Sequence, residues 1–314
     1  MNRNSYKDLY NIPKDLEELT KGNTPISTEA TKELGGKIAE VVSSFFVKRS
    51  NSKSDALRLS AIGKPLRQLW LTHNHSEVKK DLTLDRFMTF LAGAVMEEVL
   101  LWMVQQTGKY EVTDQQAEVD VEGIKGHIDC KINGIPVDVK TAAKGSFDKF
   151  VTGGLFDNDP YGYIPQLSSY TEGEDPEKVD GAAFLVYGKE DGRIAIMGLP
   201  RDKMVDPKER VEVVKATVTS PSPPEEYCYE LKELKNGNVK VPNQCVWCSF
   251  FEHCYKDKGV RAFDYASGPE YLAEVNKTPR VRELEPFTLK PVIAKTEGGV
   301  YPLSEEVAFE RVDN

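Results

Sequence analysis

Apolar positions recur at helical spacing in the first third of the chain and at strand spacing after it. Between residues 28 and 47, Leu34, Ile38, Val41, Val42 and Phe45 share one stripe of a 3.6-residue period, which predicts an amphipathic helix. Residues 1–26 are polar, with one short helical signal at 16–21. The run Lys48-Arg49-Ser50-Asn51-Ser52-Lys53-Ser54 reads as a linker. Pro65 fits the first position of a second helix carrying Arg67, Leu69 and Trp70. A third, strongly apolar helix is predicted over 84–106, with Gly108 as its stop.

The period then falls to two. Residues 118–129 and 135–141 alternate on either side of Asn133-Gly134, the strongest short hairpin signal a sequence carries. Residues 144–163, rich in Gly, Asp and aromatics, read as one long loop, a length usually kept for function. Pro165 opens a short helix over 166–172. Apolar runs at 182–187 and 194–199 flank a Gly-Lys-Glu-Asp-Gly turn, and a helix is predicted over 207–217. Pro221-Ser222-Pro223-Pro224 leads to a cysteine-bearing segment, and the last forty residues show little period of either kind. This order predicts an α/β or α+β fold, a mixed central sheet flanked by helices. The expected division is a helical extension over 1–55, a main domain over 56–258 and a tail over 259–314.

Charge narrows the function. A net charge of −9 argues against coating nucleic acid by bulk charge, though not against a local basic groove beside an acidic metal site. The nearest approach to a membrane span, 87–104, carries Glu97 and Glu98 at its centre. Residues 1–21 lack the apolar run of a signal peptide. Both features predict a cytoplasmic protein without a membrane partner. Five cysteines are too few for a disulfide scaffold, and Cys245, Cys248 and Cys254 crowd into ten residues, which in a reducing compartment suggests a metal or cluster site.

The hairpin carries the sharpest chemistry. A two-residue turn pairs Ile132 with Ile135; extending that register sets Asp129 opposite Asp138 and His127 opposite Lys140. Asp129 and Asp138 then form a non-hydrogen-bonded pair with Cβ atoms about 4.5–5.5 Å apart. Parity puts Ile128, Cys130, Ile132, Ile135, Val137 and Val139 on an apolar core face, Cys130 as a core thiol. It leaves His127, Asp129, Asp138 and Lys140 on a polar face free of packing. Facing carboxylates repel, and a cation between them removes the conflict; aspartate oxygens with water suit Mg²⁺ or Mn²⁺. The plainer alternative is a solvated strand face with scattered charges.

Three segments in order, Gly126-His127-Ile128-Asp129, Asp138-Val139-Lys140 and Gln166-Leu167-Ser168-Ser169-Tyr170, resemble the PD-(D/E)XK nuclease superfamily and, more narrowly, its RecB-like exonuclease branch. That branch includes phage exonucleases and CRISPR-adaptation nucleases. The resemblance covers about residues 60–255. It implies a restriction-endonuclease-like core and a Mg²⁺- or Mn²⁺-dependent deoxyribonuclease of phage type, used in recombination or DNA degradation. It further implies that Asp129 and Asp138 hold the metal with the Val139 carbonyl, and that Lys140 orients or deprotonates water and offsets phosphorane charge. Gln166 and Tyr170 would position DNA or the lysine. Glu97, on the segment Gly93-Ala94-Val95-Met96-Glu97-Glu98, would complete the site, in preference to Glu98; Gly93 on the same face allows close sheet packing. Many relatives place His in that helix; this chain has none there.

The resemblance also implies a four-iron cluster or Zn²⁺ on Cys245, Cys248 and Cys254. At the upstream segment 60–70, where iron–sulfur members place a cysteine, this chain has Pro65 and Leu66; Cys228 is the substitute fourth ligand, and a relic without metal stays open. Lys64, Arg67, Lys144 and Lys149 are the expected phosphate contacts. The chain has no G-x₄-G-K-[ST] phosphate loop of a helicase. The partner is therefore DNA, single- or double-stranded, with a recombination or single-strand-binding protein and a homo-oligomer left open. An endonuclease of the same superfamily and a non-catalytic DNA-binding cysteine module are the alternatives.

Overall fold

The computed structural model describes residues 4–22, 24–47, 57–78 and 83–287, and the strands at 293–296 and 299–302. The linker expected at 48–54 lies outside the described residues. The chain forms two compact units, Met1–Cys228 and Tyr229–Asn314.

The first unit opens with helices α1 (Ile12–Thr20), α2 (Thr28–Phe46), α3 (Leu66–Asn74) and α4 (Leu84–Gln106). Strands β1 (Val112–Thr113), β2 (Glu118–Val121), β3 (Ile124–His127), β4 (Cys130–Ile132) and β5 (Ile135–Ala142) follow. Helices α5 (Lys144–Thr152) and α6 (Tyr163–Tyr170), strands β6 (Gly181–Gly188) and β7 (Ile194–Pro200), and helix α7 (Pro207–Val218) complete it. The central sheet runs β1-β4-β5-β6-β7. Only β5 and β6 are parallel in it, so the sheet is mixed, and α5 and α6 provide the crossover.

Strand parity sorts the core. Cys130, Ile132, Ile135, Val137 and Val139 point to one face, under Leu100, Leu101 and Val104 of α4 and Ile12 and Leu16 of α1. The opposite face of the sheet presents Ala142, Phe184 and Val186 to Phe147 and Phe150 of α5 and Leu167 of α6. Helices therefore cover both faces. Of the expected apolar row, Ile128 alone leaves the sheet and packs with Leu59, Tyr170 and Val211 in a third cluster.

Four sequence expectations change. First, 118–129 is not one strand: Glu122-Gly123 takes left-handed φ values of 51° and 80° and folds β2 back on β3 as a separate hairpin. His127 consequently pairs with Glu118 rather than Lys140. Second, 144–163 contains α5, a helix anchored by Phe147 and Phe150 and ended by Gly153 at φ 75°. Third, residues 1–55 are no separate extension: Leu9, Ile12 and Leu16 belong to the sheet's own core. Fourth, the unit boundary falls after Cys228 rather than after 258.

The other elements coincide closely with the pattern. The stripe Leu34, Ile38, Val41, Val42 and Phe45 is half-buried, and Phe45 and Phe46 meet Phe87 of α4 edge-on. Helix α4 is the one described helix long and apolar enough to cross a membrane by length and composition, with a mean hydropathy of 1.7. It packs here along β5, α1 and α2.

The second unit carries β8 (Lys232–Glu233), β9 (Val239–Lys240), α8 (Asn243–Val246), α9 (Phe251–Tyr255), β10 (Arg261–Tyr265), β11 (Gly268–Glu274) and β12 (Glu283–Leu284), then the hairpin β13 (Ile293–Thr296) and β14 (Gly299–Pro302). An antiparallel sheet runs β12-β10-β11-β9-β8. The last forty residues, expected to show little period, hold the short strands β12, β13 and β14 among the described residues.

Candidate active site

The Asn133-Gly134 turn forms as expected, with φ of 50° and 76°, and pairs Ile132 with Ile135 and Cys130 with Val137. The ladder stops there. Asp129 lies just beyond it, and its Oδ2 accepts a 2.7 Å hydrogen bond from the Val139 amide. The two aspartates are thus neighbours, but Asp129 sits at the mouth where the strands part, not in a regular cross-strand pair.

The face expected to be unpacked is interior. Asp138 is 0% exposed, because α6 covers this side of β5. Its Oδ1 accepts from Gln166 Nε2 at 3.3 Å. Its Oδ2 is ion-paired with Lys140 Nζ at 2.6 Å.

Charge is crowded here. Burial, then the Asp138 and Glu97 charges, push the Asp129 carboxyl well above its ordinary range. Burial, then Glu98 and Asp138, raise Glu97 to about 7. Burial raises Asp138 too, against the opposing pull of the Lys140 ammonium. Burial alone would lower Lys140, but Asp138 and Asp129 outweigh it and hold the ammonium protonated. Three acids and one cation therefore share a poorly solvated corner.

Glu97 reaches this corner because Gly93, one turn earlier on α4, lets the helix lie against β5; a Cβ on Gly93 would sit 3.3 Å from Thr141 Oγ1. Gln116 ties helix to strand. Its amide donates to the Asp129 carbonyl at 3.2 Å and its Nε2 to Glu97 Oε1 at 2.9 Å. It does so at φ 55°, a conformation that costs a non-glycine residue energy.

Gln166 and Tyr170 lie one turn apart on α6, and Gln166 Nε2 is 3.4 Å from the Tyr170 hydroxyl. Gln166 contacts Asp138 rather than Lys140, and the Tyr170 ring is buried against Gly126 and Leu59. A Cβ at Gly126 would come within 2.7 Å of Leu59 Cβ and 3.0 Å of the Tyr170 ring, which explains glycine at that point of the motif.

Sequence reasoning missed Gln116 and Tyr163. The Tyr163 ring receives Lys140 Nζ at 5.1 Å from its centroid. Its signal was available, since it precedes Gln166 by three residues and so shares its helical face.

The expected phosphate contacts separate. Lys64 and Lys144 are exposed, and Lys144 begins α5 rather than lying in a loop. Lys149 donates to the Asn158 carbonyl at 3.2 Å. Arg67 is committed elsewhere: Nη1 donates to the Pro224 carbonyl at 2.6 Å and the guanidinium lies over Tyr227. It fastens the proline-rich segment, which disfavours a phosphate role.

Among the described residues no three His, Cys, Asp or Glu side chains are grouped so as to hold a metal. Within the second unit Cys254 packs in the same cluster as Cys245, and both Cys248 and Cys254 add to the rise of the Cys245 thiol. Cys245 is a buried thiol pushed up to about 11 by burial, with the Tyr255 hydroxyl 3.6 Å from its sulfur. Mg²⁺ asks for only one or two carboxylates plus water and phosphate oxygens, and at Asp129 and Asp138 two buried carboxyls lie side by side, both pushed up by burial, which a cation would offset.

No family profile matches the chain, and no curated protein matches it. Among solved structures, one described as "Crystal structure of SSO0001" is similar over 71% of this chain and 95% of its own, at 16% identity and a TM-score of 0.39. A likeness at that level carries no functional argument.

Proposed function

We propose that the chain is a divalent-metal-dependent deoxyribonuclease on a restriction-endonuclease-like core, acting as an exonuclease of the RecB-like kind. The observation that carries this reading is the fully buried Asp138, flanked by Asp129, ion-paired to Lys140 and touched by Gln166 of the next helix. A purely structural Asp–Lys pair would not need two further acids, Asp129 and Glu97, crowded against it at a cost in repulsion.

Asp129 and Asp138 would hold Mg²⁺ or Mn²⁺, with the Val139 carbonyl beside them. The bound ion would polarise the phosphate and make its water acidic. The carboxylates of Asp138 and Asp129 hold Lys140 charged in the metal-free protein; beside a bound ion it would offset negative charge on the phosphate and orient or deprotonate the water. Gln166 fixes the Asp138 carboxylate, Tyr163 holds the Lys140 ammonium, and Tyr170 supports Gln166.

The test uses end-labelled linear single- and double-stranded DNA with Mg²⁺ or Mn²⁺ beside a closed circle. Loss of linear DNA with an intact circle is the expected result. Linearisation of the circle would assign the endonuclease alternative, and no hydrolysis of either would overturn the enzyme reading.

A further inference from the structure

We propose that Tyr161 is a stacking platform for an unpaired nucleobase beside the catalytic corner, which makes single-stranded DNA ends the preferred substrate; this deepens the nuclease reading and rests on it. Tyr161 is 46% exposed. It lies 5.6 Å from the Tyr163 ring, centroid to centroid, and Tyr163 is the ring that receives Lys140 Nζ. The exposed aromatic is therefore one ring removed from the ammonium expected to meet the phosphate.

Single exposed aromatics are ordinary on protein surfaces and mean little alone. What distinguishes this one is how firmly its segment is held. Leu155 is buried, and the Asn158 carbonyl accepts from Lys149. Asp159 caps α6, its Oδ1 accepting from the Tyr163 amide at 3.0 Å and its Oδ2 from the Ile164 amide at 2.8 Å. Gly162, at φ 72°, lies so close to Gly63 that a Cβ on it would fall 2.2 Å from the Gly63 carbonyl oxygen. Tyr161 is thus pinned between a capped helix and a backbone-to-backbone contact while remaining exposed.

A ring fixed in advance loses little freedom when a base lies on it. Stacking on an aromatic face tolerates any base but requires a face that is open. A base inside a duplex has both faces covered, whereas a single-stranded or frayed end offers one. The Tyr161–Tyr163 pair would thereby select the strand end and deliver its phosphate toward Lys140.

The experiment uses the full-length protein with Ca²⁺ in place of Mg²⁺, to allow binding without hydrolysis, and an oligonucleotide carrying 2-aminopurine near its end. Native protein should quench the 2-aminopurine. Tyr161→Ala should bind the single strand about tenfold or more weakly with the quenching lost, and Tyr161→Trp should restore both. Affinity for a blunt duplex and the melting temperature should stay within error of native. Native-like quenching and affinity in Tyr161→Ala overturns the platform, and if Mg²⁺-dependent cleavage by that variant persists, the nuclease reading stands without it. Tyr161-dependent quenching by a native protein that hydrolyses no DNA upholds the platform and overturns the nuclease reading alone.

Discussion

Asp138 has no solvent, one amide donor and one ammonium, and everything nearby adjusts to its charge. Removing it outright leaves Lys140 with 17% of its side chain exposed and no carboxylate at contact distance from β5. Asp138→Ala should therefore destabilise the fold, by up to about 3–5 kcal/mol if Lys140 finds no water. Asp138→Asn keeps the shape and one acceptor oxygen for Gln166 or Lys140, so it disturbs the fold less and is the better probe of chemistry. Asp129→Asn should do the reverse to stability. It removes a charge that Asp138 and Glu97 repel, so metal-free protein should melt higher, by an amount on the order of 1 kcal/mol. Denaturant melts in chelator at pH 7.5 would show both; a lower midpoint for Asp129→Asn would mean the repulsion is already relieved.

Glu97 adds a pH dependence. Its carboxyl ionises near 7 when folded, against an ordinary 4.5, because burial and the Glu98 and Asp138 charges disfavour the anion. A folded-state value above the unfolded one gives stability that is complete below the unfolded value and is lost as pH rises through the folded one. Metal-free protein should accordingly lose about 1–3 kcal/mol between pH 4.5 and 7 through this residue, and Glu97→Gln should flatten that part of the profile. An unchanged slope in the glutamine variant would assign the loss to other groups.

At the level of elements, the site depends on how α6 and the β2–β3 hairpin sit on the strand mouth. Gly126 leaves room for Leu59 and Tyr170, so Gly126→Ala must move one of them. Overpacking of this kind costs about 1–3 kcal/mol, and here it would also tilt Gln166 away from Asp138. Both a lowered melting point and a slower reaction are expected, while a variant as stable as native would show that Leu59 yields freely. The Asn133-Gly134 turn and the core parity of Cys130 to Val139 were readable because a two-residue turn fixes register locally. The break at Ile128-Asp129 was not. Val121 and Ile124 both face the core, and this switch of apolar positions from odd to even across Glu122-Gly123 is the signal of a second tight turn that a single strand over 118–129 overlooks. Helix α5 was hidden in the same way, by glycines at both ends of a short segment whose Phe147–Phe150 spacing is helical. That Asp129, Asp138, Lys140 and Gln166 come together was legible in sequence. Their burial was not, because nothing in β5 itself announces that α6 will cover Asp138.

At the scale of the whole molecule, the N-terminal segment is part of the first unit's core rather than an appendage. Leu9, Ile12 and Leu16 are essentially inaccessible to solvent beneath the sheet. Deleting residues 1–26 removes four buried aliphatic side chains, Leu9, Ile12, Leu16 and Leu19, each contributing about 1.5–3 kcal/mol. Their sum is comparable to the whole stability of an ordinary domain, so the truncated chain should not fold cooperatively; a sharp native-like melt would restore the appendage view. The central claim concerns the corner where Asp129, Asp138 and Lys140 meet, and one measurement reaches it directly. The single-turnover rate of Mg²⁺-dependent hydrolysis of an end-labelled linear strand should be compared between native protein and Asp138→Asn, with matched melting curves. The account predicts a folded variant whose rate falls by about a thousandfold or more, in proportion to a lost metal ligand. Hydrolysis by Asp138→Asn at the native rate would contradict it.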